Sequence, residues 1–192
     1  MKKLAVVLAA ALAVPALAAD SYKIDAAHTE TGFTVKHLLI SNVRGNFGKT
    51  AGTVVYDEAD PTKSKVEATI DVASVNTRDE KRDGHLKSGD FFDVAKFPTM
   101  TFKSTKVEKA AGGLKVTGDL TLHGVTKQVV LEVAGPSAEV KDPYGLTRRG
   151  LSATGQLNRK DFGVSYGPDA VVSDLVKIQI EAELIKDVPA AK

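Results

Sequence analysis

The sequence contains no cysteine and no tryptophan, and only 6% of its 192 residues are aromatic. Without cysteine the chain forms no disulfide, runs no thiolate chemistry and builds neither a zinc knuckle nor an iron–sulfur cluster. Charge of one sign is equally scarce. The formal net charge is +2, from 26 Lys and Arg against 24 Asp and Glu, and Lys2 and Lys3 account for both excess cations. So even a balance leaves no electrostatic footprint for nucleic acid, and no such partner is expected. Neither a Walker loop nor a G-x-G-x-x-G cradle is present, and no cofactor is expected. The one long apolar run, Leu4 to Val14, falls short of the roughly twenty residues that cross a bilayer as a helix.

That run has a different reading. Met1-Lys2-Lys3 precedes it, and Pro15 and the small-residue triplet Ala16-Leu17-Ala18 follow it. The order is that of a cleaved secretory signal peptide over residues 1–18. Ala19 stands where a lipoprotein would need an acylated cysteine, so the expected product is one exported domain, residues 19–192, with no stable membrane insertion.

From residue 21 onward the dominant period is two, which predicts an all-β chain. Candidate strands are Ser21 to Asp25, Thr31 to Ile40, Lys49 to Asp57, Ser64 to Ala73, Thr99 to Val107, Gly113 to Leu122, Lys127 to Gly135, Arg148 to Asn158 and Asp174 to Ile185. The first is very short, so eight principal strands are expected, paired as an antiparallel meander. Val66, Ala68, Ile70 and Val72 alternate with Glu67, Thr69 and Asp71. Val176, Ile178, Ile180, Ala182 and Leu184 alternate in the same way with Lys177, Gln179, Glu181 and Glu183. One face is dry and the other wet. An outer-membrane barrel would need aromatic girdles that eleven aromatics without Trp supply poorly, so a soluble sandwich or barrel is expected. Thr77-Arg78-Asp79-Glu80 fits a capping box opening a short polar helix over Arg78 to Leu86. Phe91-Phe92 and Phe97-Pro98 follow it. The segment reads either as a lid over one barrel end or as a loop stapled to the core by its phenylalanines.

Catalytic patterns are weak. Gly163-Val164-Ser165-Tyr166-Gly167 matches the G-x-S-x-G nucleophile elbow, but Pro168 follows where a helix is needed and no histidine lies downstream. His28, His37, His85 and His123 share no ligand spacing, and no metal site is expected. What remains is a large apolar inner surface, suited to holding a greasy molecule.

Several segments carry a family resemblance in order along the chain: Asp25-Ala26-Ala27-His28, Phe33-Thr34-Val35-Lys36-His37-Leu38, Val43-Arg44-Gly45-Asn46-Phe47, and Glu80-Lys81-Arg82-Asp83-Gly84-His85-Leu86 through Asp90-Phe91-Phe92-Asp93. Phe97-Pro98-Thr99-Met100-Thr101-Phe102, Val116-Thr117-Gly118-Asp119-Leu120-Thr121-Leu122-His123-Gly124-Val125-Thr126 and Arg159-Lys160-Asp161-Phe162-Gly163 continue it. From about Ser21 to Ile185 the chain resembles the YceI-like family. The resemblance implies an extended lipocalin-like, eight-stranded antiparallel β-barrel with a short helical lid segment, located in the periplasm. It also implies an apolar pore that binds a polyisoprenoid or other long-chain lipid, such as a quinone tail or polyprenyl chain, for transport or storage and without catalysis. Carried onto this chain, the pore residues are Phe33, Val35, Phe47, Phe91, Phe92, Phe97, Met100, Phe102, Leu120 and Leu122. Asp142-Pro143-Tyr144-Gly145 departs from the family, which often has Trp after the proline, and Tyr166 to Ser173 is short. Two rivals stay open. One is an enzyme using His28, His37 or His123 as acid or base beside Asp25 or Asp119; the other is a filled barrel serving as a protein-interaction module. A homodimer is compatible with the sequence but has no signature in it.

Overall fold

The computed structural model describes residues 19–187, so the signal peptide expected over 1–18 lies outside the described residues. Twelve strands arise in chain order. They are β1 (Asp20–Ile24), β2 (Glu30–His37), β3 (Ser41–Phe47), β4 (Thr50–Tyr56), β5 (Lys65–Asp71), β6 (Val75–Asn76), β7 (Thr99–Ala110), β8 (Gly113–Leu122), β9 (Val125–Ala134), β10 (Val140–Lys141), β11 (Thr147–Asn158) and β12 (Leu175–Lys186). One helix, α1 (Glu80–Lys87), interrupts them.

Three interruptions reduce the main wall to eight staves. β1 and β2 run along the same edge of β12, Ile24 opposite Leu184 and Thr34 opposite Lys177, broken by a single 3-10 turn at Ala26–His28. β3 and β4 are likewise separated only by Gly48 and Lys49, and β5 and β6 by the turn Val72–Ser74. With β7, β8, β9 and β11 these make a ring, and eleven pairs from Arg148 opposite Ile185 to Asn158 opposite Leu175 zip β11 to β12 and close it. Every pairing in the ring is antiparallel, as expected from the sequence. Closure removes the open edges that would otherwise template aggregation.

The alternation read from the sequence is the inside and outside of this barrel. Glu67 and Thr69 on β5, and Lys177, Gln179 and Glu181 on β12, are exposed, whereas Ala68, Ile70, Ile178, Ile180 and Ala182 turn inward. Where every second position meets water, the apolar set has one place to go.

Two local expectations differ from the structure. Thr31 to Ile40 is not one strand: the chain reverses at Leu38 and Leu39 and returns as β3, with His37 opposite Ser41. No Gly, Pro or Asn-Gly marks that turn, and this is why the sequence pattern runs straight through it. The helix also begins later than the capping box predicts. Asp79, not Thr77, caps it, accepting from the Arg82 N–H at 3.0 Å. The Thr77 hydroxyl instead donates to Asp83 Oδ1 at 2.6 Å and accepts from Arg82 Nε at 2.7 Å. Asp is at least as good a cap as Thr, and Thr77 is held outside the helix by its bonds to Asp83 and Arg82. Among the described residues no helix is long and apolar enough to cross a membrane.

Candidate functional site: an apolar tunnel through the barrel

The inward stripes of the eight staves enclose a cavity of about 270 Å³. Its walls are carbon almost throughout: Met100 and Phe102 from β7, Val116, Leu120 and Leu122 from β8, Val129 and Leu131 from β9, and Val176, Ile178, Ile180 and Ala182 from β12. Gly118 matters to this wall because the ring of Phe102 occupies the space a β-carbon there would need. Met100, Phe102, Val116, Leu120, Leu122, Val129 and Leu131 on the β7, β8 and β9 side are buried, whereas Phe33, Val35, Val176, Ile178 and Ile180 on the opposite wall are only partly buried although they point inward. Inward apolar side chains with residual exposure face unfilled space, and a barrel packed solid with side chains would bury them.

One end of the tunnel is closed by polar chemistry. Arg149, 5% exposed, projects inward from β11 and donates from Nε to the Tyr22 hydroxyl at 2.9 Å, from one terminal nitrogen to the Ser137 carbonyl at 2.7 Å, and from the other to Glu58 at 2.9 Å. Tyr22, wholly buried, donates in turn to Glu139 at 2.7 Å. Burial, followed by that bond to Glu139, holds the Tyr22 phenol above its ordinary value. The Arg149 guanidinium lies over the ring of Tyr56, 5.2 Å from its centre, and Tyr56 lines the tunnel. A buried cation survives here because each direction it faces offers an oxygen or an aromatic face.

The other end is built by α1 and by residues 159–174. Leu86 of α1, then Phe91 and Phe92, reach the tunnel. The rings of Phe33, Phe47 and Phe92 form a chain with 5.6 Å between successive centres. Outside it His85, Phe91 and Tyr166 clasp one another, with ring centres 5.0 to 5.2 Å apart, and join the helical segment to the loop. Arg159, 4% exposed, lines the tunnel and organises that loop. It donates to the carbonyls of Val164, Tyr166, Gly167, Val172 and Ser173 and to Asp174 Oδ1, all between 2.8 and 3.1 Å. Five N–H groups meet six acceptors, so its donors are saturated.

Nine of the ten residues picked from the sequence line this one cavity: Phe33, Val35, Phe47, Phe91, Phe92, Met100, Phe102, Leu120 and Leu122. Phe97 does not. Its ring packs at a tilt against His123, 4.6 Å between centres, and fills the space over Gly124 at the β8–β9 turn. Its position beside Pro98, before the alternation of β7 begins, gives it no inward register. Sequence reasoning missed Arg159 and the lining of β12, the latter having been recognised only as a dry face. The full donor set of Arg159 has no signal in a single sequence.

The histidines and their acidic neighbours lie elsewhere. His28, His37, His123, Asp25 and Asp119 are all outside the tunnel lining. Asp25, His28 and Glu183 bring ligand-type atoms within 4.8 Å of one another. The Arg148 guanidinium already occupies the place of a cation there, bonded to Asp25, to Glu183 at 3.0 Å and to Asp142 at 2.8 Å. The bond from Arg148, aided by that from His28, lowers the Asp25 carboxyl to about 2. The cluster is an ion-pair clamp between β11, β12 and the turn after β1. The G-x-S-x-G segment is a loop following a 3-10 turn at Arg159–Phe162, with Gly163 and Gly167 both left-handed.

Residues 22–184 match the model of the YceI-like domain. The chain belongs to the YceI-like family. The Protein YceI of Escherichia coli is 44% identical to it over 165 residues, which is 84% of this chain and 85% of that protein. A UPF0312 protein of Photorhabdus laumondii is 44% identical over 170 residues, 86% and 87% of the two chains. Among solved structures, the YCEI protein of Campylobacter jejuni superposes with a TM-score of 0.69 at 37% identity, over 80% of this chain and 90% of its own. BcnA of Burkholderia cenocepacia gives 0.71 at 26%, over 83% and 98%. A structure described as a polyisoprenoid binding domain from Saccharophagus degradans shares the fold, with a TM-score of 0.63 at 19% identity over 86% and 98%. The YceI-like barrel expected from the sequence is therefore the fold of this chain.

Proposed function

We infer that this YceI-like protein is exported to the periplasm and encloses a single long-chain apolar lipid, a polyprenyl chain or the tail of a quinone, for transport or storage. The observation that supports this most is the unfilled, carbon-lined tunnel, whose partly buried wall of Phe33, Val35, Val176, Ile178 and Ile180 offers apolar surface that only a ligand can cover. Burying such surface is worth roughly 25 cal/mol per Å². Affinity therefore grows with the length of tail enclosed. The ten residue steps from Arg149 on β11 to Arg159 just past its end span roughly 33 Å at strand rise. With the strand tilt of a small barrel that leaves a tunnel on the order of 25 Å tall, so a longer tail folds back or protrudes.

The same geometry argues against catalysis as the role. The acid–base candidates lie outside the tunnel lining, and of the two titratable side chains that do line it, Arg159 has no free donor and Tyr56 lies under the Arg149 guanidinium. The reading is tested by offering the detergent-free protein a graded series of polyprenols and following uptake by native mass spectrometry. Uptake of one molecule per barrel, tightening with chain length until the tunnel is full, is the expected result. No uptake at any length would overturn it.

A further inference from the structure

The tip of the β2–β3 hairpin is exposed apolar surface beside the lid end of the tunnel. Leu38, Leu39 and Ile40 are 50%, 64% and 80% exposed. Val171, whose carbonyl accepts from the Leu38 N–H at 3.0 Å, extends the patch. The backbone gives these residue types added meaning. Leu38 and Leu39 have φ of 51° and 61°, and the Ile40 N–H donates to the His37 carbonyl at 3.2 Å. This is a turn with both central residues left-handed, where Asn-Gly is favoured and a branched side chain is strained. The chain carries two leucines against that local preference and leaves them in water.

The surroundings indicate what covers them. From Thr31 to Lys49 the formally charged side chains are Lys36, Arg44 and Lys49, all cationic. Lys36 and Arg44 are exposed on the two arms just behind the tip. Of the acids on the adjoining loop, Asp174 is paired with Arg159 and Lys160, and Asp169 accepts from the Asp174 N–H. Three consecutive side chains on a narrow turn are far smaller than the roughly 800 Å² that each partner gives to a specific protein interface. Apolar side chains in front with cations behind instead match a bilayer, which takes the former below the headgroups and the latter against anionic phosphates. The tip is also continuous with the tunnel. His37 bridges to Val172, the Lys36 N–H donates to Ser173 Oγ, and both Val35 and Val172 line the cavity.

We propose that the Leu38-Leu39-Ile40 tip docks the lid end of the barrel onto the surface of an anionic phospholipid bilayer, so that an apolar chain passes between bilayer and tunnel without crossing water. The purpose of the contact rests on the lipid-binding reading; the contact itself does not.

Because the chain lacks tryptophan, Ile40→Trp places its only indole at the tip. With vesicles of phosphatidylglycerol and phosphatidylethanolamine containing no isoprenoid, its emission shifts to the blue and is quenched by brominated acyl chains. With phosphatidylcholine alone the response falls about tenfold. In parallel, the combined variant Leu38→Asn, Leu39→Gly, Ile40→Ser co-sediments with the anionic vesicles about tenfold less than the natural chain. It still loads isoprenoid from dispersed solution. Unchanged Ile40→Trp emission, or equal sedimentation of variant and natural chain, overturns the proposal and would turn attention to a protein partner. Failure of the natural chain to load from dispersed solution would sink the tunnel reading instead, independently of the vesicle result.

Discussion

Arg149 on β11 and Arg159, the first residue of the 3-10 turn that follows β11, lie ten residues apart, are both buried, and end the tunnel at its two extremes. Arg149 closes one end through Tyr22, Glu58 and Ser137. Arg159 ties down the loop over the other through five carbonyls and one carboxylate. Replacing Arg159 by Lys keeps the charge but loses the planar fork, and leaves several buried carbonyls without a donor. The expected cost is about 2–4 kcal/mol in urea unfolding. Amide exchange should accelerate first in residues 163–174. A loss below about 1 kcal/mol would show that the loop holds itself.

The tunnel wall gives a second pair of variants. Phe102→Asp places a charge against Met100 and Leu120 and should abolish isoprenoid loading while the β signature in circular dichroism survives. Ala68 lines the same cavity from β5, directly opposite Phe102 in the sheet, so Ala68→Phe fills the space rather than charging it. It should keep the fold and also block loading. Unchanged loading in both would place the ligand elsewhere.

Acid should loosen the clamp formed by Asp25, Arg148 and Glu183. The folded Asp25 carboxyl lies near 2, below the ordinary Asp value of 3.8. Its contribution is therefore complete above about pH 4 and is lost as the pH falls toward about 2. The size expected is on the order of 1 kcal/mol, because the pair is near the surface. Urea titrations across that window should show a slope that Asp25→Asn removes; an unchanged slope in the variant would assign it to other carboxylates.

Strain at Leu38 and Leu39 should be recoverable. With φ of 51° and 61° at the two central positions of the His37–Ile40 turn, Leu38→Asn with Leu39→Gly should raise stability by about 1–2 kcal/mol, read as a higher Tm. Stabilisation with loss of vesicle binding would show the leucines to be functional; no gain in Tm would mean the turn is unstrained.

Strand positions were legible where one face meets water and the other does not, as on β5 and β12, because a period of two needs no partner to be read. The eight-stave count followed from the same signal, with β1 short enough to merge with β2. The reversal at Leu38 was illegible because its residues break the usual turn chemistry. Nine cavity-lining positions were readable through alternation and the family pattern. Phe97 was misplaced because an aromatic next to Pro98 looks like its neighbours in composition but not in register. The two arginine networks could not be read at all, since their acceptors are mostly backbone carbonyls that any residue supplies.

The tunnel is expected to hold a lipid in the cell. Native mass spectrometry of the exported protein, isolated without detergent and followed by organic extraction, tests it directly. The expected result is a discrete added mass, released as a polyprenyl or quinone species. A bare protein mass, with nothing extracted and no uptake when isoprenoids are supplied, would contradict it.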